Sequence, residues 1–307
     1  MNELNSSRLT TFASNNKIGT WLVFVAALLW AIDAPFRKYL TQGLSSTVIV
    51  LMEHIVIAFL VLPLFIPRIK ELRNLSFKEW LAIFFVGFGG SALATVLFTQ
   101  SFHYVNPSVS ILLQKIQPII AILLAGIILK ERFGHIFWLW SGVAIFSAYA
   151  ISFPEIKISG LNFSGGTLGI ILALLAAFFW GASTVFGRLV LKKISFQMMT
   201  FLRFWSALIF LVLINFYYST THEIQHATNK DWLFVFIIAV LAGFVSLLIY
   251  YKGLQLTKAG VATIAELAFP FAAVIINWVF LGEALTVVQI VGSLVLLFSV
   301  SRLSADI

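Results

Sequence analysis

The chain has 307 residues, of which 61% are hydrophobic and 10% are charged, and its mean hydropathy is +1.01. A soluble globular domain carries about 25% charged residues, so this composition excludes an ordinary soluble protein and predicts one that crosses a membrane many times. The formal charge of +8 comes from basic residues scattered through short loops, which indicates membrane orientation rather than nucleic-acid binding. The absence of cysteine excludes disulfides and cysteine-ligated metal centres.

Ten apolar segments are long enough to cross the hydrocarbon core as helices, which takes about 20 mostly apolar residues. The connections between them are short, so we expect one all-α polytopic membrane bundle. The predicted spans are 18–39, 46–66, 80–101, 107–129, 135–153, 167–190, 197–218, 232–254, 260–281 and 285–302.

The loops carry their lysines and arginines mostly on one side of the predicted bundle, which sets its orientation. Fourteen basic residues fall on the side of the chain ends and four on the other side, namely Arg37, Lys38, Lys157 and Lys230. Both tails, 1–17 and 303–307, are therefore predicted to be cytoplasmic. We expect a multi-pass protein of the cell membrane, which would be the inner membrane in a bacterium.

The two halves of the sequence resemble each other at a shift of about 150 residues. The third predicted span opens with KEWL at 78–81, and the eighth opens with KDWL at 230–233. Further pairs agree within two residues of the same shift, namely Trp30 with Trp180, Pro118 with Pro270, and Glu131 with Glu283. This agreement among rarer residue types indicates an internal repeat.

Each copy of the repeat holds five spans, so the second copy must cross the bilayer in the opposite sense. We predict a first repeat over 18–153, an extracytoplasmic linker over 154–166 and a second repeat over 167–302. Inverted repeats of this kind are typical of secondary transporters, whose sites lie near the midplane between the repeats and are marked by broken helices.

The chain resembles the drug/metabolite transporter superfamily, in particular its EamA-type members, from about residue 20 to 302. The residues that carry the resemblance are the Trp30 and Trp180 pair, Pro118 followed by Lys130-Glu131, and Pro270 followed by Gly282-Glu283. The resemblance implies ten helices around a central cavity and movement of amino acids, other small metabolites or drugs, commonly outward.

One position departs from the pattern of that family. The second helix of each half commonly carries an arginine there, and Arg203 fills this place in the second half. The matching position of the first half is Glu53, followed by His54. An acid in place of a base weakens any inference from the family to one substrate.

Five charged residues fall well inside the predicted spans, where a charge costs roughly 2.5–3.5 kcal/mol on insertion scales. They are Asp33, Glu53, Lys115, Arg203 and Glu266, and His54 can join them. Such residues usually face the bundle interior and pair with one another, or line a water-filled path.

Two prolines are predicted to break helices at equivalent places in the two repeats. Pro118 and Pro270 have no N–H to donate to the carbonyl four residues back, and those carbonyls belong to Gln114 and Glu266, which are themselves 152 apart. Lys115 lies beside the first break, about 12 Å into its span at 1.5 Å per residue. These features predict a central polar site.

The predicted substrate-binding residues are Lys115, Gln114, Gln117, Glu266, Arg203, Trp30 and Trp180, and the ion-pair or proton-coupling candidates are Asp33, Glu53, His54 and Glu266. Three alternatives remain. Lys115 could instead be a structural counter-ion of one of the acids, the tryptophans could serve packing, and Arg203 could contact lipid phosphate.

The acids and bases inside the spans give a net charge of −1 when histidine is neutral. A buried, unpaired carboxylate tends to take up a proton, so one of Asp33, Glu53 or Glu266 could exchange a proton during transport. Mixed charges also suit a substrate that bears both signs.

The sequence therefore predicts a secondary transporter, an exporter or exchanger, for a small zwitterionic metabolite such as an amino acid. The alternatives are an exporter of cationic or aromatic compounds, a passive channel, and an integral-membrane enzyme that uses Glu53, His54 and Glu266 on a lipid-linked substrate. We expect no cofactor, no metal, no nucleic acid and no catalytic residues. The partners expected are the substrate and the lipid bilayer, with the protein a monomer or homodimer.

Overall fold

The structure, a computed structural model, describes residues 2–105, 107–152, 166–281 and 286–305, and all regular structure in these ranges is helical. The predicted ten-helix fold is confirmed. We number the membrane helices α1 to α10; α1 consists of Asn2–Trp30 and Asp33–Leu40, and α4 and α9 are also broken. The other bounds are α2 Ser46–Phe65, α3 Phe77–Ser101, α4 Pro107–Gln114 and Gln117–Leu129, α5 His135–Ser152, α6 Thr167–Val190, α7 Phe196–Tyr217, α8 Asn229–Leu256, α9 Ala259–Ala265 and Ala268–Leu281, and α10 Val287–Ala305.

Nine of these helices, within the described ranges, are long and apolar enough to span a membrane, and α9 supplies the shorter apolar helix Ala259–Ala273. The ten predicted spans coincide with α1 to α10, with ends that differ by a few residues. The main difference is at α1, which begins at Asn2 inside the predicted tail.

The two repeats interlock instead of forming separate lobes. The most extensive helix contacts join α1 with α8, α3 with α6, α2 with α7, and α5 with α10. The first two pairs are equivalent, because each packs the first helix of one repeat on the third helix of the other. A site at the centre of the bundle therefore draws side chains from both repeats.

Each repeat contributes a carboxylate that accepts a hydrogen bond at a helix end of the other repeat. Glu71 accepts from the backbone N–H of Ser195 at 2.7 Å, and Glu223 accepts from that of Ser45 at 2.7 Å. Glu71 and Glu223 are 152 apart, and Ser45 and Ser195 are 150 apart. Each carboxylate thus lies at the N-terminus of the second helix of the other repeat, where a negative charge is stabilising.

Glu131 makes a third contact of this kind. It accepts from the N–H groups of Ala259 at 2.9 Å and Gly260 at 3.1 Å, at the start of α9. Its predicted counterpart Glu283 lies outside the described residues.

The side chain of Asn16 donates to the carbonyl of Ser304 at 3.2 Å, so this part of α1 lies beside the end of α10.

Helices α4 and α9 break at equivalent places, as the prolines predict. The break in α4 falls at Lys115 and Ile116, and the break in α9 falls at Glu266 and Leu267. One detail of the prediction is wrong: the carbonyl of Glu266 is not left free, because the turn tightens and the N–H of Phe269 donates to it at 3.1 Å.

Helix α1 has a break that its counterpart α6 lacks. The chain leaves the helix at Ala31 and Ile32 and resumes it at Asp33, whereas α6 runs unbroken past Trp180. Pro35 explains the difference, since its ring displaces the carbonyl four residues earlier, that of Ala31. The part of α1 after the break contributes Asp33, Ala34 and Arg37 to the lining of the central cavity.

Helices α3 and α8 each contain a π-helical stretch in their middle, Phe85–Leu93 and Ile238–Val245. Such widened turns are often found at functional sites. Here they contribute Ser91, Ala242 and Gly243 to the lining of the central cavity.

Candidate functional site

A central cavity lies between the two repeats. Its volume is about 160 Å³, smaller than the roughly 300–1,000 Å³ that is typical of pockets for drug-sized ligands.

Eleven of the twelve residues singled out from the sequence line this cavity. They are Trp30, Asp33, Glu53, His54, Gln114, Lys115, Gln117, Pro118, Trp180, Arg203 and Glu266. Pro270 does not line it; it is buried in α9. The structure thus brings the predicted site residues together, and their roles toward a substrate stay predictions.

Arg37 is paired with two acids inside the bundle. Its Nε lies 2.8 Å from Asp33 Oδ1, and its Nη2 lies 2.9 Å from Glu53 Oε2. Its Nη1 donates to the hydroxyl of Thr99 at 3.1 Å. The arginine is only 1% exposed, so this is a buried charge network that occupies two of the three predicted acids.

The prediction that counted Arg37 with the basic residues on the far side of the membrane is wrong, because Arg37 is buried among the residues that line the cavity. The helix resumes at Asp33 after the break that Pro35 causes, and this places Arg37 one turn further on the same helix face. With Arg37 in the cavity, three formal negative charges (Asp33, Glu53, Glu266) meet three formal positive charges (Arg37, Lys115, Arg203). The predicted net charge of −1 is therefore also wrong, and the formal sum is zero.

Glu266 is held by neutral groups only. It accepts from Gln117 Nε2 at 2.5 Å, from the hydroxyl of Tyr250 at 2.9 Å and from that of Thr184 at 3.4 Å. The three donors come from α4, α8 and α6. No cation lies within ion-pair distance of this carboxylate among the residues that the structure describes.

Lys115 projects into the cavity without an ion pair. Its Nζ lies 4.7 Å from the ring centroid of Phe269, an arrangement that attracts a cation. Within the described ranges its ammonium donates no hydrogen bond, and Asp33, Glu53 and Glu266 have the other partners given above. The structure therefore does not support the alternative in which Lys115 is a counter-ion for one of these acids.

Arg203 lies in the wall of the cavity and donates hydrogen bonds to three protein groups. It donates to the hydroxyl of Tyr251 at 2.9 Å, to the carbonyl of Gly90 at 3.0 Å and to Ser91 Oγ at 3.2 Å. These contacts join α7 to α3 and α8. Three of the five N–H donors of Arg203 are used in these contacts, which place Arg203 in the cavity wall; the lipid phosphate contact stays an untested alternative from the sequence.

His54 continues the chain of hydrogen bonds that begins at Arg203. Its Nδ1 lies 2.8 Å from the carbonyl of Val50, and its Nε2 lies 3.0 Å from Ser91 Oγ. A carbonyl only accepts, so Nδ1 is assigned the hydrogen. Ser91 can then accept from Arg203 and donate to Nε2, which satisfies the buried imidazole in its neutral form.

Two equivalent aromatic pairs form parts of the cavity wall. Trp30 packs on Tyr250 with ring centroids 5.2 Å apart, and Trp180 packs on Phe98 at 5.1 Å. Phe98 and Tyr250 are 152 apart, as the repeat requires. Trp30 Nε1 also donates to Ser246 Oγ at 2.9 Å. The tryptophans therefore both pack against neighbours and line the cavity.

The polar partners of the acids, of which Arg37 is the most important, are not evident from the sequence. The spacing of Asp33 and Arg37, four residues apart, is the signal that could have revealed their contact. Thr184 and Tyr250, which hold Glu266, gave no such signal because both are neutral and lie 82 and 16 residues from it in the sequence.

The fold and the central cavity define a membrane transporter built from two inverted repeats. Both repeats, 17–153 and 167–304, match the EamA-like transporter family, and the chain belongs to this family. The resemblance seen in the sequence is thereby confirmed.

Two related proteins align with most of the chain. It is 32% identical over 298 residues to "Riboflavin transporter ImpX" of Fusobacterium nucleatum, which covers 94% of this chain and 98% of that protein. It is 26% identical to "Uncharacterized transporter YdfC" of Bacillus subtilis, over 87% of this chain and 84% of that one. A solved crystal structure aligns with a TM-score of 0.71 at 12% identity, covering 92% of this chain and 95% of that one, which is a likeness of fold alone.

Proposed function

We propose that this transporter carries riboflavin or a flavin with the same ring system. The observation that carries the proposal is the 32% identity to the Fusobacterium nucleatum protein named as a riboflavin transporter, over 98% of that protein's length. Similarity that spans both repeats includes every helix that lines the cavity.

The chemistry of the cavity supports a flavin. Riboflavin has a flat aromatic ring system, a polar ring edge with two carbonyls and an imide N–H, and a polyhydroxyl side chain. The Trp30–Tyr250 and Trp180–Phe98 pairs offer aromatic surface to the rings. Riboflavin is neutral, and the formal charges that line the cavity also sum to zero.

The amino-acid substrate predicted from the sequence has weaker support. That prediction used free acids to bind an ammonium group, and two of the three acids are occupied by Arg37. Lys115 and Glu266 still line one cavity, so an amino acid is the main competing outcome of the transport experiment. The family membership argues against the enzyme and channel alternatives.

Alternating access is the mechanism we propose, in which the two repeats rock about the central cavity. The carboxylates of Glu71, Glu131 and Glu223 that cap helices of the other repeat are contacts that such rocking would change. Outward direction, cytoplasmic termini and a monomeric or homodimeric state stay predictions from the sequence.

Proton coupling is a further part of this proposal, and Glu266 is its best candidate residue. Asp33 and Glu53 share Arg37, so a change in their charge would break an ion pair. Glu266 is held only by neutral donors, so it can gain or lose a proton without such a loss.

The test is flux into proteoliposomes that contain the purified protein, measured with labelled riboflavin and with a panel of amino acids, polyamines, nucleosides and cationic dyes. We expect saturable riboflavin flux that unlabelled riboflavin blocks and that empty liposomes lack. Movement of an amino acid without movement of riboflavin would overturn the proposal and restore the prediction from the sequence.

A further inference from the structure

The two helix breaks are equivalent in the repeat, but the side chains at them are satisfied differently. At the break in α9, the carboxylate of Glu266 receives three hydrogen bonds, from Gln117, Tyr250 and Thr184. The residue 152 positions earlier is Gln114, at the break in α4. Its Oε1 is buried, and within the described ranges it has no hydrogen-bond partner.

Lys115, the next residue, lies at the same helix break, and its ammonium group is a donor without an acceptor among the described residues. Its ammonium faces the ring of Phe269 at 4.7 Å and makes no hydrogen bond to any residue that the structure describes. An aromatic ring can hold the ammonium in position while leaving its N–H groups available. The break in α4 thus carries an unused acceptor and an unused donor on consecutive residues, and both residues line the cavity.

Buried polar groups are almost always hydrogen-bonded, and each exception calls for an explanation. A neighbouring acceptor and donor are complementary to a ligand group that itself has a donor beside an acceptor. The imide edge of a flavin has this pattern, because its N–H lies between two carbonyl oxygens. A lone carboxylate or phosphate would satisfy Lys115 but would repel the oxygen of Gln114.

We propose that Gln114 and Lys115 together bind the imide edge of the flavin ring. Gln114 Oε1 accepts from the imide N–H, and Lys115 Nζ donates to a carbonyl oxygen next to it. The flat ring then extends from the break in α4 across the cavity between the aromatic pairs. This inference rests on the proposed function and identifies the residues that determine its specificity.

The first test compares ligands on the purified wild-type protein by their effect on its thermal unfolding. The ligands are riboflavin, lumiflavin, which keeps the ring edge but lacks the polyhydroxyl chain, and riboflavin methylated on the imide nitrogen. We expect riboflavin and lumiflavin to raise the unfolding temperature, and the methylated flavin to bind at least tenfold more weakly. Equal binding of the methylated flavin would overturn the inference.

The second test uses Gln114→Leu and Lys115→Met, with Gln42→Leu and Lys192→Met as controls at exposed positions. Because Gln114 Oε1 has no hydrogen-bond partner and the Lys115 ammonium contacts only the ring of Phe269 among the described residues, the free variants should unfold close to the wild-type temperature. Each should bind riboflavin at least tenfold more weakly, and Gln114→Leu should no longer discriminate against the methylated flavin. The controls should bind as the wild type does.

The outcomes separate this inference from the proposed function. If the wild type binds and transports riboflavin but both variants do so normally, the assignment of Gln114 and Lys115 is wrong and the function stands. Loss of the folded state in either variant would also overturn the assignment, because it would show that the residue has a structural partner. If the wild type binds an amino acid and no flavin, both proposals fail.

Discussion

Arg37 and Glu53 are 16 residues apart in sequence and meet inside the membrane bundle with Nη2 and Oε2 separated by 2.9 Å. Asp33 holds the same guanidinium from the other side at 2.8 Å. The pair joins α1 to α2 within the first repeat, and one cation serves two acids. Because Arg37 adds a third positive charge to the lining, the cavity has no excess of formal negative charge.

Removal of Arg37 should destabilise the protein strongly. In Arg37→Met, Asp33 and Glu53 would be left buried without a cation, and breaking a buried pair by removing one partner costs about 3–5 kcal/mol. We expect a large fall in the unfolding temperature of the detergent-solubilised protein. Lys38→Gln changes the exposed neighbour on the same helix and should have little effect.

A compensated variant checks the cause of that fall. Arg37→Met combined with Asp33→Asn and Glu53→Gln removes the unpaired charges, so much of the lost stability should return. If the combined variant is no more stable than Arg37→Met alone, the electrostatic explanation is wrong and Arg37 acts through packing.

The crossing of α1 and α8 depends on two glycines that face each other. A methyl group on Gly19 would lie 2.7 Å from the carbonyl oxygen of Gly253, and one on Gly253 would lie 2.6 Å from that of Gly19. Both atoms are backbone, so alanine at either position should cost about 1–3 kcal/mol by overpacking. Thermal unfolding measures this loss.

Gly142 provides the matched control in a helix. It lies in α5, and a methyl group there meets nothing within 4 Å. Gly142→Ala should therefore be neutral or slightly stabilising, by up to about 1 kcal/mol from helix propensity. An equal loss of stability in Gly19→Ala and Gly142→Ala would contradict the close approach of α1 and α8.

Glu266→Gln should separate transport from the proton gradient. Glutamine keeps the shape and can keep hydrogen bonds to Gln117, Tyr250 and Thr184, so the fold should survive. If Glu266 carries the proton, the variant still exchanges substrate, but its flux no longer responds to an imposed pH gradient. Flux in proteoliposomes with and without the gradient is the measurement.

The surroundings of Glu266 define the controls for that experiment. The titratable or charged groups that face it or share its cavity are Tyr250 and Tyr251 from α8, Lys115 from α4, Arg203 and His54 from α7 and α2, and the Asp33, Arg37 and Glu53 network. Asp33→Asn should keep the response to the gradient. If the response to the pH gradient persists in Glu266→Gln and disappears in Asp33→Asn, the coupled proton is carried by the Arg37 network and not by Glu266.

The sequence predicts the helices and the symmetry of this fold, because both depend on local hydropathy and on a repeat visible at a shift of about 150 residues. The breaks at Lys115 and Glu266 follow from Pro118 and Pro270 in the same way. The contacts between repeats, such as Glu71 with Ser195, depend on how the helices pack. The internal repeat predicts the equivalent contact of Glu223 with Ser45, but only after the contact of Glu71 with Ser195 has been seen in the structure.

The sequence indicates which charged residues lie inside the membrane, but not how they pair. Hydropathy places Asp33, Glu53 and Glu266 inside the membrane. The same pattern assigns Arg37 to the end of a helix, because hydropathy carries no information on the break at Ala31. The π-helical stretches of α3 and α8 also leave no periodic signal in the sequence. Partners that depend on such irregular backbone require the three-dimensional structure.

Intrinsic fluorescence can test whether a flavin lies against the predicted aromatic wall. Riboflavin absorbs where tryptophan emits, so binding in the cavity should quench Trp30 and Trp180 most strongly. We expect Trp180→Phe to lose a distinct part of the quenching and to bind several-fold more weakly, since aromatic contacts contribute about 0.5–1.5 kcal/mol. Trp138→Phe changes a tryptophan that is 50% exposed on α5 and should leave the binding constant unchanged. Equal effects of the two variants would indicate that the flavin binds the outer surface or the detergent, and not the cavity.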